Sequence, residues 1–255
     1  MENMILPSHG NIGILNRGEA ALRFVRGVRE YNALYGTEFK TVAFYLPDEE
    51  EAPFVQQADL SCAFNRLKGN APIDRNVYLN KDLLGKAMDT MDCIAAWVGW
   101  GFLSEEAAFI QFLEEKKIIF LGPGSASVAL LGDKIAAKEL ADDSTVPVTP
   151  WSKGPIKSLE EAQAFADAIG YPCMIKAALT GGGRGIRRVK THEELQTKYE
   201  SAREETIRIT GSSQLFIEQV VETGRHLEVQ ALADQYGNVL TFGVRDCSVQ
   251  RRNQK

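Results

Sequence analysis

The chain has 255 residues, of which 44% are hydrophobic and 25% are charged, a composition typical of a folded protein with a sizeable core. Its 29 Lys and Arg against 34 Asp and Glu give a formal net charge of −5. This balance provides no overall basic field, so we expect no nucleic-acid partner and expect any anion to be held by local groups.

The first residues and the cysteines indicate the cellular compartment of the protein. The opening MENMILPSHG lacks the basic and long apolar regions of a secretion signal, and no run of about 18 apolar residues predicts a membrane span. The cysteines are far apart, without metal-ligand spacing: Cys62, Cys93, Cys173 and Cys247. We therefore expect reduced thiols in a cytoplasmic protein that has no membrane partner.

Strand-like and helix-like segments alternate over roughly the first 120 residues. The predicted strands are NIGIL, KTVAFYL, CIAAWVGW and KIIFLG. The predicted helices are GEAALRFVRGVREYNALYG, which ends at Gly36, and EEAAFIQFLEEK. This order predicts an α/β fold with an open parallel sheet, whose functional groups lie at the carboxyl ends of the strands.

A second region follows the Pro-containing connector STVPVTPWSKGPIKS, residues 144–158. Ser158 and Glu161 predict a capped helix start. Next come the predicted strand YPCMIKAAL, a glycine-rich loop, the strand IRRVK and the long helix HEELQTKYESAREETIRI. The last predicted strands are LFIEQVV, HLEVQALAD and VLTFGVRDCSV, with the turn DQYGN between the final two.

The loop TGGGRG, between the strand that carries Lys176 and the strand IRRVK, is richer in glycine than a hairpin turn requires. Successive glycines let backbone N–H groups converge on a phosphate, although a hairpin turn remains the alternative. No Lys-Ser or Lys-Thr pair follows, so the loop does not match the P-loop pattern. Lys176 has apolar neighbours in sequence and would be costly to bury without an anion, which favours a nucleotide site.

Six motifs resemble those of the biotin carboxylases of the ATP-grasp superfamily, in their order and spacing. They are NRGE from Asn16, GFLSE from Gly101, GDKIAAK from Gly132, GYPCMIKAALTGGGRGIRRV from Gly170, RHLEVQ from Arg225 and RDCSVQRRNQK from Arg245. A single glycine-rich motif is a weak indication. Six ordered motifs across nearly all 255 residues identify the chain as similar to the N-terminal half of this domain in a biotin-dependent acyl-CoA carboxylase.

The resemblance implies a set of site residues. The phosphates of ATP are contacted by Lys134 and Lys176, and by backbone N–H groups of Gly182 and Gly183 on a closing lid. Adenine is read by the strand edge Glu218, Gln219, Val220 and Val221, His226 and Gln250 lie on the nucleotide side, and Lys255 is the catalytic lysine that contacts bicarbonate and the terminal phosphate. Without the family, Lys134 is also explained as a solvated lysine at a helix start, and His226 as a strand histidine.

The resemblance also implies a four-part organisation. Residues 1–121 form the N-terminal α/β domain, 122–148 a linker, 149–220 the ATP-grasp lid, and 221–255 the start of a larger ATP-grasp domain. Arg26 and Glu30 match the family's dimer contact, although their spacing alone is that of a solvated i, i+4 helix pair. Trp97 and Trp100 are expected to be core or interface aromatic residues.

Three positions depart from the family pattern. WVGWG, residues 97–101, replaces the HPGYG of bacterial stand-alone members and is nearer to multidomain acyl-CoA carboxylases. Asn253 replaces the usual histidine and cannot carry its charge, which argues against a proton role at that position. Gln219 replaces a lysine, which is tolerable if adenine is read through backbone groups.

For the intact protein, the resemblance implies a ligase of fatty acid metabolism that uses ATP, Mg²⁺ and bicarbonate to carboxylate biotin on a carrier domain. Its partners are that carrier, a carboxyltransferase and further copies of itself. The family's metal-binding carboxylates and catalytic arginine fall beyond Lys255, so we expect a fragment that is inactive alone. The alternatives are another ATP-grasp carboxyphosphate ligase, such as a carbamoyl phosphate synthetase-like enzyme, or a non-catalytic structural or assembly module.

Overall fold

A computed structural model describes residues 7–68, 76–179 and 185–249. The chain divides into two compact units, Met1–Ala129 and Leu130–Lys255. Each unit has its own buried apolar clusters. Among the described residues, no helix is both long and apolar enough to cross a membrane.

The first unit contains one parallel sheet. Its strands are β1 (His9–Ile14), β2 (Glu38–Tyr45), β3 (Leu60–Ala63), β4 (Cys93–Trp97) and β5 (Ile119–Phe120). They lie in the order β3-β2-β1-β4-β5, and every pair is parallel. The predicted open parallel α/β fold is therefore confirmed. Strand β3 was not predicted, because LSCA is too short to show a period.

Helices connect and cover these strands. They are α1 (Gly18–Tyr35), α2 (Pro53–Gln57), α3 (Phe64–Lys68), α4 (Lys81–Thr90) and α5 (Ala107–Glu115), with α6 (Ser125–Gly132) following β5. Helix α1 ends where predicted, since Gly36 adopts a φ of +66° and donates its N–H to the carbonyl of Asn32. A left-handed residue of this kind is a common helix stop, and glycine adopts it without strain.

The carboxyl ends of β1 and β4 are joined by one buried amide. The side chain of Asn16 donates to the carbonyls of Val98 at 2.7 Å and Trp100 at 3.0 Å. Nearby, Trp97 stacks on Phe24 with ring centroids 4.4 Å apart. The Trp100 side chain is 73% exposed. Trp97 is therefore a packing residue, and the NRGE motif fixes the loop that carries Trp100 at the carboxyl edge of the sheet.

The described residues of the second unit form two antiparallel sheets. Its helices are α7 (Lys134–Asp143), α8 (Leu159–Ile169) and α9 (His192–Thr210), and its strands are β6 (Cys173–Ala177), β7 (Arg187–Val189), β8 (Leu215–Gln219), β9 (Leu227–Ala233) and β10 (Val239–Asp246). One sheet has the order β7-β6-β8, and β9 pairs with β10. Residues of α8 and α9 pack on the buried face of the first of these sheets.

The connector before α8 lies along the free edge of β8. The N–H of Ser152 donates to the carbonyl of Ile217 at 2.9 Å, and the N–H of Ile156 donates to that of Leu215 at 2.7 Å. Its prolines and glycine had indicated an irregular segment, and it forms only isolated bridges. It nevertheless completes the hydrogen bonding of β8 and so shields a strand edge.

The predicted helix cap at Ser158 is confirmed. The Ser158 hydroxyl accepts the N–H of Glu161 at 3.2 Å. The carboxylate of Glu161 accepts the N–H of Lys157 at 2.8 Å, one residue before the position expected of a capping box.

Replacing Ser158 with alanine is expected to lower the free energy of unfolding of the second unit by about 1 kcal/mol, because an N–H at the start of α8 loses its acceptor. Hydrogen exchange in urea at neutral pH, read by mass spectrometry on peptides of α8, measures this change in the second unit. Ser158→Asp provides the matched control, since a carboxylate can accept the same N–H. Equal stability of Ser158→Ala and Ser158→Asp would contradict a capping role.

Candidate nucleotide-binding site

The strand β6 has two different faces. Cys173, Ile175 and Ala177 are buried, whereas Met174 and Lys176 between them are half-buried. Since side chains alternate along a strand, Lys176 lies on the face opposite the helices α8 and α9. The neighbouring β8 pairs Met174 with Glu218, which places the Glu218 carboxylate on the same face as Lys176.

Two lysines contact the Glu218 carboxylate. Lys176 Nζ forms an ion pair with Glu218 Oε1, and Lys138 Nζ lies 3.0 Å from Glu218 Oε2. The Glu218 side chain is only 10% exposed, and burying such a charge is favourable only when it is compensated. The sequence predicts that Lys176 needs an anion as its partner. In this structure that partner is the Glu218 carboxylate of the chain itself.

A third lysine lies at the start of α7. Lys134 Nζ is 3.3 Å from the carbonyl of Ala177 and 3.4 Å from that of Ala178, at the end of β6. Burial, and next the nearby charge of Lys176, hold the pKa of Lys134 below its usual range, while Asp133 opposes the shift. Lys134 and Lys176 therefore repel each other, so a polyanion between them would be stabilised.

The side chain of Asp133 begins α7 and so positions Lys134. It accepts the N–H groups of Ile135 at 2.8 Å and Ala136 at 3.2 Å, as an N-cap residue does. The GDKIAAK motif thus has a local structural role besides its lysine. This cap fixes where the Lys134 side chain leaves the helix.

Two backbone N–H groups in the segment proposed to read adenine already have hydrogen-bond acceptors. The N–H of Gln219 donates to the carbonyl of Pro150 at 2.9 Å, and the N–H of Val220 donates to that of Pro172 at 3.3 Å. The side chain of Val221 is 65% exposed. A purine read by this segment would therefore use backbone groups other than these two N–H groups.

The structure places His226 on the hairpin of β9 and β10. The N–H of His226 donates to the Ser248 hydroxyl at 2.9 Å, and its carbonyl accepts the N–H of Cys247 at 2.7 Å. Its side chain is exposed. On the same hairpin, Glu228 forms an ion pair with Arg245. These contacts hold the hairpin together and do not involve the three lysines.

Four of the predicted site residues lie outside the described residues: Gly182, Gly183, Gln250 and Lys255. Arg26 and Glu30 are both exposed on α1. Within the described ranges, no group of three or more His, Cys, Asp or Glu side chains is arranged to hold a metal ion. Lys138 was not among the predicted site residues, although its position one turn after Lys134 on a helix could have indicated it.

Two family models together match nearly the whole chain. Residues 9–128 match the N-terminal domain of biotin carboxylase. Residues 133–255 match the ATP-binding domain of the carbamoyl-phosphate synthase L chain.

Curated relatives extend this result. The 2-oxoglutarate carboxylase small subunit of Hydrogenobacter thermophilus is 40% identical over 242 residues, which cover 95% of this chain and 49% of the relative. Biotin carboxylase 1 of Bacillus subtilis is 38% identical, with 95% and 51% covered. Human mitochondrial pyruvate carboxylase is 40% identical, with 95% and 20% covered. The chain thus spans at most about half the length of these relatives.

Solved structures agree with the relatives. The biotin carboxylase domain dimer of the Hydrogenobacter thermophilus 2-oxoglutarate carboxylase, in complex with MgADP, ADP and bicarbonate, matches with a TM-score of 0.84 and 38% identity over 96% of this chain and 52% of that one. The biotin carboxylase of Campylobacter jejuni, in complex with β,γ-ATP, matches with a TM-score of 0.86 and 35% identity, covering 96% and 53%. The chain therefore belongs to the biotin carboxylase family and combines the N-terminal domain of these proteins with part of their ATP-grasp domain.

Proposed function

We propose that the protein to which this chain contributes uses ATP and bicarbonate to carboxylate biotin on a carrier domain. The observation that carries the proposal is a cluster of three lysines: Lys138 and Lys176 contact the buried Glu218 carboxylate, and Lys134 lies close enough to Lys176 for that charge to lower its pKa. Three ammonium groups face the two carboxylates of Glu218 and Asp133, which leaves an excess of positive charge. That excess is suited to the phosphates of a nucleotide, and the family membership makes ATP the matching ligand.

The reaction begins when a bicarbonate oxygen attacks the γ-phosphorus of ATP. The bond from that phosphorus to the bridging oxygen breaks, ADP leaves, and carboxyphosphate forms. Carboxyphosphate then gives CO₂ and phosphate. The CO₂ carbon is then bonded by the ureido nitrogen of biotin on the carrier domain, after that nitrogen has given its proton to the released phosphate. Because catalysis of phosphoryl transfer is chiefly positioning and charge stabilisation, the lysines act by holding and neutralising the phosphates.

The remaining site residues are assigned within this proposal. Lys134 and Lys176 bind phosphate, the segment from Glu218 to Val221 reads adenine, and His226 and Gln250 lie on the nucleotide side. Gly182 and Gly183 donate N–H groups from a lid that excludes water from carboxyphosphate, and Lys255 contacts bicarbonate. Support comes from the Lys134, Lys176 and Glu218 geometry and from the match of residues 133–255 to an ATP-binding domain.

The described residues do not fit Mg²⁺. Phosphoryl transfer generally needs this ion to offset the triphosphate charge, and within the described ranges no group of three or more His, Cys, Asp or Glu side chains is arranged to hold a metal ion. Glu218 is bound to two lysines and Glu228 to an arginine. We therefore assign the metal ligands to the part of the protein beyond residue 255 and derive no step through the ion.

Partners and organisation follow from the same proposal. We propose a biotin carrier domain, a carboxyltransferase and a second copy of the protein as partners, with Arg26 and Glu30 at the contact between copies. The four-part division at residues 121, 148 and 220 stays a proposal. Cys62, Cys93 and Cys173 are buried free thiols, which supports a reducing compartment such as the cytoplasm.

The most specific part of the proposal is the substrate that finally accepts the carboxyl group. WVGWG favours acyl-CoA in fatty acid metabolism, whereas two of the relatives named above are 2-oxoglutarate and pyruvate carboxylases. Carboxylation assays on the complete protein with acetyl-CoA, propionyl-CoA, pyruvate and 2-oxoglutarate distinguish these acceptors.

The chain alone is expected to show no bicarbonate-dependent ATP hydrolysis and no transfer of labelled carboxyl to biotin. An extended protein, meaning this chain continued through the remaining length of a biotin carboxylase, is expected to show both. The reason is that the metal ligands and the other half of the pocket lie in the added part.

Circular dichroism and thermal melting on the same samples separate inactivity from misfolding. A folded short chain that hydrolyses ATP with bicarbonate as fast as the extended protein would contradict the assignment of the metal ligands. An extended, folded protein that neither binds ATP nor carboxylates biotin would contradict the proposed function.

A further inference from the structure

Lys138 is a cation of the site to which no role has been assigned. It lies on α7, where its Nζ is 3.0 Å from Glu218 Oε2 and 3.2 Å from the Thr149 hydroxyl oxygen. Its side chain is 17% exposed, less than the 28% of Lys176. Lys138 is thus the more buried of the two lysines that contact Glu218.

Lys138 is also held by groups other than Glu218. Its Nζ lies 5.6 Å from the ring centroid of Trp151, within the range of a cation–π interaction. The Trp151 ring is itself fixed by two contacts. Its Nε1 donates to the Asp142 carboxylate at 2.9 Å, and the ring packs nearly perpendicular to the Phe216 ring. The position of Lys138 therefore does not depend on the carboxylate alone.

A bound nucleotide would change the contacts of Lys176 on Glu218. Lys176 lies on β6 next to Lys134, and in this structure its ammonium contacts Glu218. If Lys176 turns to a phosphate, Glu218 loses one of its two counter-charges. A buried carboxylate without a neighbouring positive charge is strongly unfavourable. Lys176 can therefore leave Glu218 for a phosphate only if another cation remains next to the carboxylate.

We propose that Lys138 is a positioning residue that keeps Glu218 neutralised, so that Lys176 is released to bind the phosphates of ATP. The inference rests on the proposed function and deepens it. Lys138 acts through Glu218 and does not itself contact the reacting atoms. Its removal is expected to weaken the binding of phosphates and to leave the binding of the nucleoside nearly unchanged.

The test measures dissociation constants of ATP and adenosine by calorimetric titration of the extended protein. Lys138→Gln is expected to raise the ATP constant about tenfold, the size of one charge-assisted contact. The adenosine constant should change less than about twofold, because adenosine has no phosphate for Lys176 to bind. The matched control is Lys153→Gln, since Lys153 also lies over the Trp151 ring but pairs with Asp142.

A double variant separates positioning from a general loss of positive charge. In a Glu218→Gln background, Lys138→Gln should cost little ATP affinity, because a neutral amide does not need a counter-charge. Thermal melting confirms that each variant is folded. An equal cost of Lys138→Gln in both backgrounds, or an equal effect on ATP and adenosine, would overturn the inference.

The outcomes also separate this inference from the proposed function. An unsubstituted extended protein that binds no ATP overturns both. An unsubstituted protein that binds ATP, with Lys138→Gln behaving like Lys153→Gln, overturns the inference alone.

Discussion

Replacing Lys176 with alanine in the extended protein is expected to raise the dissociation constant of ATP about 10- to 150-fold, which corresponds to about 1.5–3 kcal/mol. The variant loses the ammonium that the structure places next to Lys134 at the end of β6. Lys138 still compensates Glu218, so the second unit is expected to remain folded.

Calorimetric titration with ATP measures this effect, and Lys190→Ala is its matched control. Lys190 lies just after β7 in the same unit, and its side chain is exposed. Lys190→Ala is expected to bind ATP like the unsubstituted protein. Unchanged ATP affinity in a folded Lys176→Ala variant would remove Lys176 from the site.

Alkaline pH is expected to destabilise each unit through one buried thiol. Burial, and next the nearby charge of Asp92, raise the pKa of Cys93 from 9.0 to about 12. Burial raises the pKa of Cys173 from 9.0 to about 11. A raised thiol pKa means that the folded state keeps a proton that the unfolded state loses, so stability is complete below about pH 9 and falls as the pH rises.

The expected loss between about pH 8 and about pH 10.5 is about 2 kcal/mol for each of the two thiols. Because the chain has two units, a single free energy of unfolding does not describe it. Hydrogen exchange in urea, read by mass spectrometry on peptides of β4 and of β6, measures the two units separately.

The two thiols serve as controls for each other. Cys93→Ala should reduce the alkaline loss in the first unit and leave the second unchanged, and Cys173→Ala should do the reverse. Cys62 and Tyr78 also have raised pKa values in the first unit, and Tyr171 and Tyr199 have raised pKa values in the second, so some alkaline loss should persist in each variant. The same pH dependence in all three proteins would contradict the buried-thiol explanation.

Several elements have local signals strong enough to predict them from the amino-acid sequence. The alternation of apolar periods predicted the parallel sheet, Gly36 predicted the end of α1, and Ser158 predicted the start of α8. These features depend on residues a few positions apart, so they can be read from a short window. The family motifs predicted that Lys134 and Lys176 bind phosphate, and the structure places these two lysines near each other.

The pairing of charges in the site is set by contacts between segments that are far apart in the chain. Lys176 was expected to need an anion, but nothing in its own segment indicated that Glu218 is its partner, because that pairing depends on the register between β6 and β8. Lys138 was missed because its contacts come from distant segments, through Thr149, Trp151 and Glu218. Such contacts are set by the packing of α7 against the sheet, and local periodicity does not encode packing between segments far apart in the chain.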